Sequence, residues 1–103
     1  MRSEKAKLVW SPEAQSDLAS IWRRGAEQFS PATADKHVRT IHSTADLLRF
    51  APFVGRARDD LRPGVRQIVI YPTVLLYRIG AEAVEVLRVV DGHRNLAALF
   101  PPL

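Results

Sequence analysis

Two Ser-Pro pairs, Ser11-Pro12 and Ser30-Pro31, each open a run of apolar residues at helical spacing, and no other feature limits the possible folds as much. Serine before a helix can cap free backbone amides, and proline suits the first helical position because it has no amide to leave unbonded. After the first pair, Ala14, Leu18, Ile21, Trp22 and Phe29 fall on one helical face, with Gly25 inside the pattern as a mild weak point. This spacing places Leu18 and Trp22 in the core. After the second pair, Ala34, Val38, Ile41, Ala45 and Leu48 alternate steps of four and three, so the apolar stripe runs to about Phe50. Two amphipathic helices with almost no linker form an antiparallel hairpin, and its shared apolar face needs a sheet to cover.

The rest of the chain supplies that sheet. Lys7 to Trp10 reads as a short first strand ahead of the hairpin. Ala51-Pro52 closes the second helix, because the residue before a proline is pushed out of helical geometry. A polar loop follows to Gly64, with Arg56, Arg58 and Arg62 interleaved with Asp59 and Asp60. Val65 to Tyr71 and Thr73 to Ile79 read as strands about a Pro72-Thr73 turn, and Gly80-Ala81-Glu82 leads into a third. Short turns of this kind make an antiparallel meander. The expected fold is therefore α+β, a single two-layer domain over residues 1–103, with the hairpin on one sheet face and the other face partly open. Pairing Ile79 with Ala83 would set Arg78 opposite Val84 and on one face with Arg88. The direction of Arg66 depends on the register around Pro72.

The last stretch, VEVLRVVDGHRNLAALF, carries the strongest local signal for a site. Alternating β-branched residues make a strand, and Asp91-Gly92 stops it. His93 and Arg94 follow at once, and Leu96, Leu99 and Phe100 fall at helical spacing behind them. A strand thus delivers a His-Arg pair to one fixed point on the surface.

Charge narrows the partners. The chain carries a net +4, and twelve of its fifteen cations are arginine, whose planar fork pairs bidentately with phosphates and carboxylates. Either a nucleic acid or an acidic protein segment can use such a surface. Hydrophobic residues at 47% and charged residues at 25% exclude a disordered chain. The absence of cysteine excludes disulfides and thiolate metal sites. His37 and His42 stand five residues apart on the second helix, poor spacing for a metal pair. With no glycine-rich phosphate loop, nucleophile elbow or carboxylate pair, no cofactor or metal is expected. The charged start and the lack of an apolar run near the roughly 20 residues that span a bilayer lead to the expectation of a soluble, cytoplasmic protein that does not engage a membrane.

The ordered set VWSPEAQSDLASIW, APFVGR, PGVRQIVIYPTVLLYRI and VEVLRVVDGHRNLAALF resembles the RelE/ParE superfamily of bacterial toxins, over nearly the whole length from Lys7 to Phe100. The resemblance implies the toxin half of a type II toxin-antitoxin module, held inactive by a cognate antitoxin. RelE-like members cleave messenger RNA on the ribosome, which needs a base, an acid and cations around one phosphate. Against that pattern, Arg66 and Arg94 match expected cations, but Ile68 and Val74 replace others, and Phe100 stands near the usual terminal tyrosine. His93 is then the remaining acid-base group, with Asp91 placed to orient it. ParE-like members inhibit DNA gyrase and lack the nuclease constellation. The chain is similar to them in its Pro-Gly-Val-Arg lead into the meander, the Tyr77-Arg78 pair and the run from Arg88 to Leu96, with Asn95 where an aspartate is usual.

The ParE-like branch is therefore the expected one: a binding inhibitor of gyrase without catalytic residues, neutralised by a ParD-like or related antitoxin in a hetero-oligomer. The antitoxin is expected to lay an apolar and acidic segment across the hairpin and the open sheet face. Candidate antitoxin- or target-binding residues are Arg56, Arg58, Arg66, Arg78, Arg88, His93 and Arg94. The alternative is a ribosome-dependent mRNA endonuclease using His93, Arg94 and Arg66. A further alternative is an inactive toxin retained as an antitoxin-binding module. Direct nucleic-acid binding is left open.

Overall fold

The computed structural model describes residues 6–101. Both Ser-Pro signals start helices, α1 at Pro12–Gln28 and α2 at Pro31–Leu47. The Ser11 hydroxyl accepts from the Ala14 amide at 3.0 Å and donates to the Leu87 carbonyl at 2.8 Å, so one side chain caps the helix and ties it to the sheet. Ser30 caps α2 by accepting from the Thr33 amide. The second helix stops at Leu47, short of Phe50, because its last turn tightens: Leu48, Arg49 and Phe50 donate to carbonyls three residues back.

Among the described residues five strands form one mixed sheet, in which the first strand lies at one edge beside the fifth, followed by the fourth, the third and, at the other edge, the second. The first, β1 (Lys7–Trp10), runs parallel to β5 (Ala83–Asp91), and β3 (Val65–Ile70), β4 (Thr73–Ile79) and β5 are the expected meander. The stretch read as a loop holds a 3₁₀ turn at Pro52–Val54 and a two-residue strand, β2 (Arg56–Ala57), paired with Arg66 and Gln67. The terminal helix is a 3₁₀ turn, Leu96–Leu99, opened by Asn95, whose side chain accepts from the Ala97 amide.

The register between β4 and β5 differs from the expected one. Ile79 pairs with Val84 and Arg78 with Glu85, and the pairing shifts between Leu76 and Tyr77, leaving Leu87 as an extra residue on β5. A four-residue turn, closed by the Gly80 amide on the Ala83 carbonyl, sets the first offset, and the bulge bends the strand beyond it. Arg78 therefore meets Glu85, not Val84, with Nε 2.8 Å from Oε1.

Between the hairpin and the sheet lies the main core, in which Ala14, Ile21, Ile41 and Leu48 meet Leu75, Tyr77, Val84, Val86 and Val89. Leu18 packs at its border as expected. Trp22 and Phe29 do not join it, at 39% and 74% exposed. Trp22 lies about 100° round the helix from Ile21, and its indole Nε1 donates to Asp35 of α2 at 2.7 Å. Gly25 explains how closely the helices approach, since a Cβ there would lie 3.3 Å from the Ala34 Cβ. On the far face of the sheet, Val65, Val74 and Leu76 are covered by Leu61, Leu87, Leu96, Leu99 and Phe100. Arg62 fastens this cover, lying over the Phe100 ring and donating to the Pro101 carbonyl.

Candidate functional site

Arg66, Arg78 and Arg88 do not share one open face. Alternation along β3 puts Arg66 on the helix side with Ile68 and Ile70, past the edge of the hairpin. There its Nε donates to the Gly55 carbonyl at 3.0 Å and Nη2 to the Phe53 carbonyl at 3.2 Å, with the guanidinium over the Phe53 ring. The Tyr77 hydroxyl, fully buried, supports the same turn from below, donating to the Pro52 carbonyl at 2.7 Å and accepting from the Gly55 amide at 2.9 Å. Two polar side chains thus hold a short turn that leaves Phe53 and Val54 exposed, at 71% and 63%.

Arg78 lies on the opposite face with Val74 and Leu76, paired with Glu85. Arg88 is drawn to α1, where the Asp17 carboxylate takes two of its N–H groups at 2.7 and 2.9 Å and the Val89 amide at 2.9 Å. The Asp17 hydrogen bond raises the Arg88 pKa above its usual value. Since β1 pairs with β5 only as far as Val86, Asp17 satisfies a backbone group on the open edge of the longer strand. Asp17 escaped notice in the sequence, although it sits three residues after Ala14 and four before Ile21, on the buried stripe. A carboxylate on an apolar stripe is the signal that marks it.

In the 56–62 segment, Arg58 donates to Asp60 from two nitrogens, at 3.0 and 2.9 Å, and also bonds the Gln67 side chain. That contact holds the Asp60 carboxyl below its ordinary range and raises the Arg58 pKa. Arg56 is exposed and its side chain makes no hydrogen bond or ion pair among the described residues, although its charge acts weakly on Asp60.

His93 and Arg94, adjacent in sequence, part company in space. Asp91 shapes the turn through its Oδ1, which accepts from the His93 backbone amide at 2.8 Å, so it orients the backbone and not the imidazole. His93 then lines a hollow of about 350 Å³ on the far sheet face with Arg58, Gln67, Val69 and Tyr71. Arg94 lines a different hollow, of about 370 Å³, with Asp17, Ser20, Arg23 and Arg24 of α1. Arg66 belongs to neither. A third, mainly apolar hollow lies where the α1–α2 junction meets the Pro72 turn, and His37 stands at its edge with Nε2 3.3 Å from the Thr73 hydroxyl. Burial lowers the His37 pKa from 6.5.

Known proteins resemble this chain in sequence and in fold. The family described as ParE toxin of type II toxin-antitoxin system, parDE, matches residues 8–96. Toxin ParE3 of Caulobacter vibrioides is 35% identical over 92 residues, covering 89% of this chain and 92% of that protein. Toxin ParE1 of Mycobacterium tuberculosis is 31% identical over 96 residues, covering 88% and 98%. Among solved structures, the chromosomal ParDE TA system from P. aeruginosa superposes with a TM-score of 0.76 at 25% identity, over 86% of this chain and 98% of that one. The toxin-antitoxin complex RelBE2 from Mycobacterium tuberculosis shares the fold, with a TM-score of 0.62 at 22% identity over 85% and 99%. A two-helix hairpin on a five-stranded sheet, matched by profile and by relatives over nearly its full length, makes this chain a member of the ParE family of type II toxin-antitoxin toxins.

Proposed function

We propose that this ParE-family chain acts by binding, inhibiting DNA gyrase, and that a cognate ParD-like antitoxin neutralises it in a hetero-oligomer. The observation that carries the reading is the separation of His93 from Arg94 and Arg66. Cleaving a phosphodiester needs acid, base and cation around one phosphate. Here the imidazole and the Arg94 side chain line hollows on different sides of β5, and the Arg66 fork is occupied by two loop carbonyls. Phe100 carries no proton to transfer and is packed under Arg62.

An antitoxin partner is supported by the solved relatives, which are toxin-antitoxin complexes. The buttressed turn bearing Phe53 and Val54, with Arg56 beside it, offers an acidic and apolar segment what it needs. Arg58, Arg78 and Arg88 already hold carboxylates of their own chain and contribute less to such an interface. Among the described residues no helix is long and apolar enough to cross a membrane, and action on gyrase requires the cytoplasm.

The test is induced expression of the chain with a gyrase supercoiling assay and mapping of mRNA ends in the same cells. Inhibited supercoiling with intact messages is the expected result. Codon-positioned cuts that vanish in His93→Ala, with supercoiling normal, would replace it with the endonuclease; neither effect would leave an inactive antitoxin-binding module.

A further inference from the structure

The hollow lined by Arg94 gathers three arginines that no carboxylate among the described residues pairs. Among the described residues, Arg49, Arg58, Arg78 and Arg88 each have a carboxylate within 2.9 Å. Arg23, Arg24 and Arg94 have none, and all three line this one hollow. They come from two elements: the fourth turn of α1 and the turn after β5. Their side chains are exposed, and the contacts of Arg23 and Arg24 to Ser20, at 3.5 and 3.4 Å, are long enough to be weak.

The carboxylates in the same wall do not cancel this charge. Asp17 is matched by Arg88 and spends its remaining capacity on the Val89 amide. Asp91 is a single negative charge, also bonded to the His93 amide, against three guanidiniums. Gathering like charges costs free energy that an anion in the hollow would recover. Consecutive helix residues point about 100° apart, so Arg23 and Arg24 fan along the rim. Successive phosphates of a chain can satisfy that spread, whereas a lone carboxylate meets one fork.

The geometry points to this hollow as a binding site for the phosphodiester backbone of a nucleic acid, with Arg23, Arg24 and Arg94 on the phosphates and the Ser20 hydroxyl as a further donor. The site is independent of the gyrase reading and stands or falls separately from it.

Fluorescence anisotropy with the purified chain tests it, using a labelled duplex DNA and a labelled single-stranded RNA of roughly 20 nucleotides across a salt series. Binding of either polymer is expected, with a log-log salt slope of about −2 to −3 for three phosphate contacts. The triple variant Arg23→Ala, Arg24→Ala, Arg94→Ala should weaken it at least about tenfold at low salt. A control of equal charge loss, Lys7→Ala, Lys36→Ala, Arg39→Ala, should leave most of it, and circular dichroism melts establish that both variants are folded. Absence of salt-dependent binding by both polymers overturns the site, as does equal loss in the control. Binding of inorganic phosphate or of a polyglutamate peptide, without either polymer, also overturns it.

Discussion

Asp17 of α1 and Arg88 of β5, 71 residues apart, meet through two hydrogen bonds of 2.7 and 2.9 Å, and the same carboxylate holds the Val89 amide. Their side chains are only 14% and 22% exposed, so water does little to screen the pair. Helix and strand are therefore locked at the point where the sheet has lost its β1 neighbour.

Removing one partner should be costly. Asp17→Ala leaves a mostly buried guanidinium and a strand amide unsatisfied, and about 3 kcal/mol of stability should be lost in urea unfolding. Arg88→Glu, which sets two carboxylates together, should do at least as much harm. A double variant, Asp17→Leu with Arg88→Met, should recover part of the loss, because an apolar pair leaves no uncompensated charge but still no acceptor for the Val89 amide.

The buttressed turn gives a second expectation. Tyr77→Phe removes both hydrogen bonds to the turn and should cost about 1–3 kcal/mol, with faster hydrogen exchange at the Gly55 amide as the local signature. Gly55→Ala should be worse, because its Cβ would lie 2.7 Å from the Gln67 carbonyl and closer still to the Tyr77 hydroxyl. Slow exchange at Gly55 in Tyr77→Phe would show that Arg66 alone holds the turn.

His37 makes stability depend on pH in a known direction. Its folded pKa lies below the unfolded 6.5, so the unfolded chain takes up the proton first as pH falls. The contribution is complete above 6.5, declines below it, and levels off once pH passes the folded value. Arg24 and Asp91 line the same hollow, the first opposing the added charge and the second favouring it. Unfolding free energies between pH 7.5 and 5 should therefore fall, and His37→Gln should flatten the part of that slope just below 6.5.

At the proposed antitoxin surface, Phe53→Ser with Val54→Ser should weaken affinity for the antitoxin at least about tenfold, since buried aromatic anchors carry most interface energy. Both side chains are exposed in the isolated chain, so melting temperature should barely move. Arg56→Glu should act in the same direction by facing carboxylates with a like charge. Unchanged titration isotherms in both variants would move the interface elsewhere.

Much of the architecture was legible in the residues. Ser11-Pro12 and Ser30-Pro31 start helices where capping chemistry says they should, and the period-two runs at Val65, Thr73 and Val84 became the meander. The sites were less legible. Arg78 and Arg88 look alike along the strands, yet one pairs with Glu85 across the sheet and the other with a helix carboxylate. Trp22 fits the apolar stripe by count but falls on the rim, because one helix buries a narrower arc than the five apolar positions cover. Arg23 and Arg24 read as ordinary surface charges until Arg94 is brought beside them.

The division has a physical cause. Caps, apolar periods and proline or glycine breaks act within a few residues, so the chain by itself determined the two long helices, the first strand, the meander and their layering. Register, the extra residue at Leu87, the Tyr77 support under the Pro52 turn and the parting of His93 from Arg94 depend on contacts between residues tens of positions apart. Their energies are settled only when the layers pack, and tertiary structure alone decided which arginines are spent inside the protein and which remain free to bind.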